Sequence, residues 1–292
     1  MFDYRIETFL AAAKTLNFTA AAKQLHITQP AVSTHIHQLE QEYQTKFFQQ
    51  AGKQIQLTEN GKLFFQVASR MKNDDRHMRQ SFLSGKEIIE LNFGTTLSIA
   101  DYCLEKSFQK LWSRYPNLHL CLSVQNTKTL LERIHQGSLD FAIVEGYFSK
   151  ELYDFIPFQT QAYIPVCHPK HQFLRSINSI QDLRGEPLLI REQGSGTREI
   201  LERLLSVHEL TLQDFQVKAE IGSLHVIKQF VLSDIGISFF YRPVVEQELK
   251  ENQLKQIMIK EKCSHTFSLV WSKKSIFSLQ YKEIGNILTV DQ

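Results

Sequence analysis

The alternation of apolar and polar residues over the first 60 positions predicts three short helices and a hairpin. Ile6, Phe9, Leu10, Ala13 and Leu16 fall on one face of a helix from about Tyr4 to Asn17. Thr19 then precedes an alanine-rich helix that includes Leu25. Thr28 precedes another, with Pro30 in its first turn, where a missing N–H costs nothing. Only His26 and Ile27 separate the two, so they must cross sharply, in the shape of a helix-turn-helix. On the second of them Val32, Ile36, Leu39 and Tyr43 share a face, leaving Gln29, Ser33, Thr34, His37, Gln38 and Gln41 on or beside the other. That polar face of amides, hydroxyls and imidazoles, free of carboxylates, suits the donor and acceptor pattern of a DNA major groove. An ordinary helical hairpin with a solvated face gives the same pattern. Beyond it, Phe47 and Phe48 are apolar anchors. Gly52-Lys53 reads as a turn, and Ile55 and Leu57 alternate with Gln54 and Gln56, as in a small β-wing with Lys53 at its tip.

Thr58 caps a longer helix that runs to about Phe82. Phe64, Met71 and Met78 recur on it every seven residues, with Val67 between the first two, which predicts pairing with a second copy. Asp74 falls on the same seam, and packing within its own domain is the competing explanation. Ser84-Gly85-Lys86 reads as a hinge. From Leu91 onward strands and helices alternate. Strands are expected over Leu91–Ser98, ending there in a polar loop, and near His119–Val124, Phe141–Val144, Leu188–Ile190, Val217–Ile221, Gly236–Phe240 and Thr266–Trp271. Helices are expected near Tyr102–Tyr115, Lys128–His135, Arg198–Val207, Leu224–Leu232 and Ile276–Leu288. The β-α-β-α-β order implies two parallel α/β lobes, crossed twice by the chain, with ligands off the carboxyl ends of the strands.

Charge changes the picture at the N-terminus. The whole chain carries a formal +2. Within residues 1–61, Arg5, Lys14, Lys23, Lys46 and Lys53 are balanced by Asp3, Glu7, Glu40, Glu42 and Glu59. Affinity for phosphates must then come from placement rather than excess, helped by helix N-termini and by His35 and His37 when protonated. Cys103, Cys121, Cys167 and Cys263 are scattered without a C-x-x-C pair, which argues against structural zinc or a disulfide framework and fits a reducing cytoplasm. No secretory signal and no apolar run of membrane-spanning length is evident.

These residues together resemble the LysR-type transcriptional regulators over essentially the whole chain. The matching positions are Phe9 to Ala13, Asn17-Phe18-Thr19, Ala21-Ala22, Leu25, Thr28-Gln29-Pro30-Ala31-Val32-Ser33, Ile36 and Leu39-Glu40, continued by Phe48, Leu57-Thr58 and Gly61. The resemblance implies a winged helix-turn-helix (residues 1–61), a dimerising linker helix (62–87) and a two-lobed α/β effector domain like a periplasmic binding protein (88–292). Lobe I is expected at about 88–162 and 266–292, and lobe II at about 163–265. It further implies a homodimer or homotetramer, an interrupted-dyad promoter site, contact with RNA polymerase, and a small-molecule effector without any cofactor. Gln29, Pro30, Ala31, Ser33 and Thr34 are assigned to the DNA surface by the resemblance, and Thr28, His37, Gln38 and Lys53 join them from the helix and wing. Gln50 stands in the wing where an Arg is common, and Thr34 and His37 replace frequent basic residues.

A second motif is Arg191-Glu192-Gln193-Gly194-Ser195-Gly196-Thr197-Arg198. A Gly-Ser-Gly loop that follows a strand and enters a helix offers free N–H groups and hydroxyls to an anion. It lacks the third glycine of a dinucleotide fingerprint, the Lys of a P-loop and the G-x-S-x-G order of a hydrolase elbow. The stretch is similar to that in family members related to regulators of sulfur assimilation and carbon fixation, which implies a small anionic metabolite or oxyanion. Gly194, Ser195, Gly196, Thr197 and Arg198 would hold it from one lobe, and Thr95, Thr96, Ser98, Asn126 and Thr127 from the other. Alternatively the hydroxyls are helix caps and Arg198 pairs with Glu202 one turn on. No His/Asp/Ser or metal-ligand constellation points to an enzyme. A cytoplasmic solute-binding protein with no specific DNA role is the remaining alternative.

Overall fold

The computed structural model describes residues 3–52, 54–83 and 90–289. The chain divides into two compact units, Met1–Ile88 with Arg133–Asp140, and Ile89–Glu132 with Phe141–Gln292.

The first unit opens with α1 (Tyr4–Thr15), α2 (Phe18–Leu25) and α3 (Gln29–Glu42). The strands β1 (Phe48–Ala51) and β2 (Gln54–Leu57) form an antiparallel wing before α4 (Glu59–Leu83). The cap of α2 is Asn17 rather than Thr19, because its side-chain oxygen accepts the Ala20 N–H at 3.0 Å and the helix starts at Phe18. Thr28 caps α3 through the Ala31 N–H, and Thr58 caps α4 through the Gly61 N–H. His26 takes a left-handed backbone (φ 55°) at the tight turn between α2 and α3.

The core of this unit is aromatic. Phe9 is fully buried, with the rings of Phe47 and Phe64 at 5.3 and 4.8 Å, and Phe47 stacks on Phe64 at 4.4 Å. Phe64 therefore faces its own domain and leaves the expected seven-residue seam. The exposed apolar residues of α4 are instead Leu63, Val67, Met71, Met78 and Phe82. Glu40, buried at the end of α3, accepts the N–H groups of Phe47 (2.9 Å) and Phe48 (3.4 Å) and the ammonium of Lys46. It thereby ties the helix to the wing. Gly61 lies so close to the Phe47 carbonyl that a Cβ there would meet its oxygen at 2.1 Å, so no other residue fits without a backbone shift.

The second unit holds β3 (Glu90–Thr95), α5 (Leu97–Tyr102), α6 (Glu105–Arg114), β4 (His119–Val124), α7 (Thr127–His135) and β5 (Phe141–Val144). It continues with β6 (Tyr153–Cys167), β7 (Pro187–Arg191), α8 (Gly196–Val207), β8 (Gln216–Ile221), α9 (Leu224–Leu232) and β9 (Ser238–Tyr241). It ends with α10 (Arg242–Lys250), β10 (Lys255–Gln256), β11 (Cys263–Ser272) and α11 (Ser278–Thr289). As expected, β4, β3 and β5 are parallel neighbours. The helix expected near 102–115 is α6, and the stretch before it, expected as a polar loop, holds the short helix α5.

The strand order is β10-β6-β11-β5-β3-β4, with β9 also on β6, while β7 and β8 form a separate parallel pair. The lobes are thus not two independent sheets. The long antiparallel partners β6 and β11 are shared by both, with a register shift between Phe267 and Ser268. One apolar core runs through the unit, from Phe93 and Phe141 to Leu189 and Phe240. Among the described residues no helix is long and apolar enough to cross a membrane, and no group of His, Cys, Asp and Glu is placed to hold a metal ion. The four cysteines are all free.

Candidate functional site

The first candidate surface is the polar face of α3. Packing of Val32, Ile36 and Leu39 into the aromatic core turns Thr28, Gln29, Pro30, Thr34, His37 and Gln38 to the exterior, with Ala31 and Ser33 half-buried at the margin. Their polar groups are partly engaged along the helix. The Gln29 amide donates to Ser33 Oγ (2.9 Å), Thr34 Oγ1 donates to the Pro30 carbonyl (3.0 Å), and the Gln41 amide lies 3.0 Å from His37 Nε2. These bonds lie on an exposed face, where an incoming acceptor or donor competes with them directly. His35 is different. Its Nδ1 lies 3.0 Å from Thr8 Oγ1 and its ring meets Tyr4 edge-on, so it fastens α1 to α3 and leaves His37 as the imidazole on the outer face. Lys53 lies outside the described residues, as does the Ser84–Lys86 hinge.

The second candidate lies within the second unit. Thr95 ends β3, Thr96 and Ser98 open α5, and Thr127 begins α7, all of them buried. From the other lobe Ser195 and Thr197 enter at the start of α8, also buried, with their hydroxyls 2.7 Å apart. The two sets meet because glycines let backbone approach backbone. A Cβ on Gly196 would stand 2.6 Å from Thr127 Oγ1, 2.7 Å from Glu145 Cγ and 2.7 Å from the Gly146 nitrogen. Gly194, at φ 89°, turns the loop so that its carbonyl accepts the Lys128 N–H across the lobes. Asn126 is half-buried, and its Oδ1 caps α7 through the Thr129 N–H. Ser195, at the head of α8, makes no side-chain capping bond.

Arg198 does not join this cluster. Its guanidinium pairs with Glu202 (2.8 Å) and Glu220 (2.7 Å) and donates to the Arg191 carbonyl, so it braces α8 against β7 and β8. The guanidinium nearer the cluster is that of Arg191. Two of its nitrogens are held by Glu192, while Nη1 is buried without a hydrogen-bond partner.

Glu145, which follows β5, is the group that sequence reasoning missed. Its carboxyl is almost wholly buried. Oε1 receives only a long 3.5 Å bond from Ser98 Oγ, and Oε2 has no partner. Burial pushes its pKa up to about 7, while Arg191, Ser98, Thr96 and the Thr197 amide pull it back only in part. The Thr96 hydroxyl lies near enough to favour the charged form, yet it makes no well-formed hydrogen bond. Thr95 Oγ1, Thr127 Oγ1 and Tyr241 OH are likewise buried and unpaired. Buried polar groups are normally satisfied. Their gathering near one carboxyl is therefore a departure from ordinary packing. The signal in the sequence was Glu145-Gly146 closing the apolar run Phe141–Val144, an acid at the carboxyl end of a buried parallel strand.

A winged helix-turn-helix followed by a two-lobed α/β domain, with unpaired buried polar groups gathered where the lobes meet, has the architecture of a DNA-binding regulator that carries a small-molecule module. Residues 4–62 match the bacterial regulatory helix-turn-helix of the lysR family, and residues 85–283 match the LysR substrate binding domain. The chain belongs to the LysR family of transcriptional regulators, with an effector-binding domain as its second part. It is 29% identical over 262 residues to the HTH-type transcriptional regulator CysL of Bacillus subtilis, covering 87% of this chain and 85% of that protein. It is 26% identical over 231 residues to a probable RuBisCO transcriptional regulator of Cyanidium caldarium, covering 76% and 72%. Among solved structures, ArgP from Mycobacterium tuberculosis superposes with a TM-score of 0.74 at 12% identity, covering 99% and 98% of the two chains. Full-length OxyR from Pseudomonas aeruginosa gives 0.72 at 18%, covering 98% and 94%. These structures share the fold.

The buried carboxyl predicts a pH-dependent stability. Because the folded-state pKa of Glu145 lies above its ordinary value of 4.5, its stabilising contribution is full below about 4.5 and is lost as pH rises through about 7. Above that, the buried carboxylate costs on the order of 3 kcal/mol. Glu145→Gln should therefore melt progressively higher than the unchanged protein as pH goes from 5 to 8. A melting-temperature difference that stays constant across that range would contradict the assignment.

Proposed function

We propose that this regulator binds an interrupted-dyad promoter site through the outer face of α3 and responds to a small anion held between the lobes of its effector domain. The observation that carries the effector reading is the cluster of buried, unpaired polar atoms at Thr95, Thr96, Thr127, Glu145, Arg191 and Tyr241. The hydroxyls of Ser98, Ser195 and Thr197, the glycine-lined backbone from Gly194 to Gly196 and the guanidinium of Arg191 add donors suited to an oxyanion or a carboxylated or phosphorylated metabolite. A helix N-terminus contributes at α8, whose first N–H groups open onto the same cluster. Asn126 closes the rim. Arg198 acts indirectly, by holding the strand that carries Arg191. RNA polymerase is the expected partner on promoter DNA.

For DNA, the support is a carboxylate-free exposed face on a helix fixed from behind by packing, comprising Thr28, Gln29, Pro30, Ala31, Ser33, Thr34, His37 and Gln38, with Lys53 as a wing contact. Ser33→Glu should place a carboxylate against the duplex and lower specific affinity at least tenfold without changing the melting temperature. A mobility-shift titration on a selected operator measures this, and retained affinity would remove α3 from the interface.

Assembly follows from the stripe Val67, Met71, Met78 and Phe82, which α4 leaves exposed. Such a stripe fits a second copy of the same helix, and further effector-domain contacts would make a tetramer. Met71→Asp should reduce the mass seen by light scattering by half or more. An unchanged mass would place the subunit contact elsewhere.

For the ligand, the double variant Thr96→Val, Thr127→Val keeps side-chain shape and removes two orphan hydroxyls. Each lost donor should cost roughly 1–3 kcal/mol of anion affinity. Below about pH 6, where Glu145 is protonated, stability without ligand should not fall, because neither hydroxyl makes a well-formed hydrogen bond within the fold. Calorimetry with phosphate and sulfate, beside a thermal melt, separates the two effects. Full affinity in the double variant would overturn the pocket.

A further inference from the structure

The anion reading leaves one group unexplained, and the inference drawn here rests on that reading. Glu145 presents a carboxyl oxygen without a protein partner to the same cluster that offers donors to an anion. Two negative charges side by side in a water-excluded site repel strongly. The conflict disappears if one proton lies between them. We propose that this inter-lobe cluster takes up its oxyanion together with one proton, shared between a ligand oxygen and Oε2 of Glu145. The proton comes from solvent or arrives on the ligand. In either case the complex holds one hydrogen bond where two like charges would otherwise face each other.

The surroundings leave this task to Glu145. The titratable and charged groups that face it are Arg191 from β7, Tyr163 from β6, Tyr241 at the end of β9, Cys103 beyond α5 and His265 from β11. On α8, Glu199 lies across Gly146 and accepts the Tyr147 N–H. Burial holds Tyr163 and Tyr241 well above the usual tyrosine range and Cys103 up at about 12, so all three stay protonated and neutral. The pKa of His265 is lowered by burial and by Arg203, which favours the neutral ring, and the Glu145 backbone opposes this only in part. Arg203 itself lies over the Tyr147 ring and reaches Glu199. Arg191 is the cation beside the carboxyl, and Glu192 already takes two of its nitrogens. A single guanidinium so shared cannot neutralise both Glu145 and a bound anion.

Sulfate is the discriminating probe, because it carries no proton of its own in the neutral range. Its dissociation constant should be flat below pH 6 and rise toward tenfold per pH unit above about 7.5. At pH 8, calorimetry in two buffers of different ionisation enthalpy should register uptake approaching one proton per sulfate. In Glu145→Gln the carboxamide stands in for the protonated acid, so sulfate should bind with an affinity independent of pH and with no proton uptake. Wild-type protein that binds sulfate or phosphate with a flat pH profile and no proton exchange would overturn the shared proton and leave the anion pocket standing. An unchanged pH slope in Glu145→Gln would do the same. Failure of both anions to bind at any pH from 5.5 to 8.5 would overturn the pocket itself, and this inference with it. If ammonium or a primary amine bound instead, with affinity rising at high pH, Glu145 would be a counter-ion and the proposal would fall.

Discussion

The effector domain depends on one close approach of main chain to main chain. Gly196 at the head of α8 lies against Gly146 and Glu145 beyond β5, at a separation that no side chain on either glycine would permit. Because nothing intervenes, the hydroxyls opening α5 and α7 and those opening α8 are drawn around one carboxyl. The same approach excludes water from Glu145, which is why its proton is held so far into the neutral range. Packing created the chemistry: glycine at two positions in different lobes decides how dry the site is, and dryness decides what each polar atom there is able to do.

The N-terminal unit is governed by a different constraint. Phe9, Phe47 and Phe64 come from α1, the approach to the wing and α4, and their mutual packing sets the angle at which α3 is presented. Glu40 adds direction to that apolar contact by receiving main-chain N–H groups from Phe47 and Phe48. A buried acid normally costs stability unless its oxygens are occupied. Here both oxygens are, and the arrangement fixes the wing relative to the helix.

Much of this was legible in the sequence because the signals were periodic and local. The strands at 119–124 and 141–144 and the helix at 224–232 fall where alternation and helical spacing put them. Thr28 and Thr58 cap their helices as their positions before α3 and α4 suggest. What escaped were features set by distant contacts. β6 carries Pro157 and Pro165 and many polar residues, so its 15-residue length is dictated by pairing with β11 and β9 rather than by its own pattern. Phe64 fits a seven-residue repeat in sequence, but the nearer aromatic core claims it. At the candidate site the hydroxyls announced themselves through turn and cap positions. For Arg198 the alternative pairing with Glu202 is the one found, and Glu220, distant in sequence, adds a second carboxylate that the sequence does not reveal. Glu145 was hidden for the converse reason: an acid ending an apolar strand looks like the first solvated residue of a loop until the opposite lobe covers it.

The balance of charge over residues 1–61 carries its own consequence for life on a chromosome. Over that stretch five cations are matched by five anions, so phosphate contacts there depend on where each cation stands rather than on an excess of positive charge. In the proposed docking of α3, a few well-placed amides and hydroxyls would have to do what a basic patch does elsewhere.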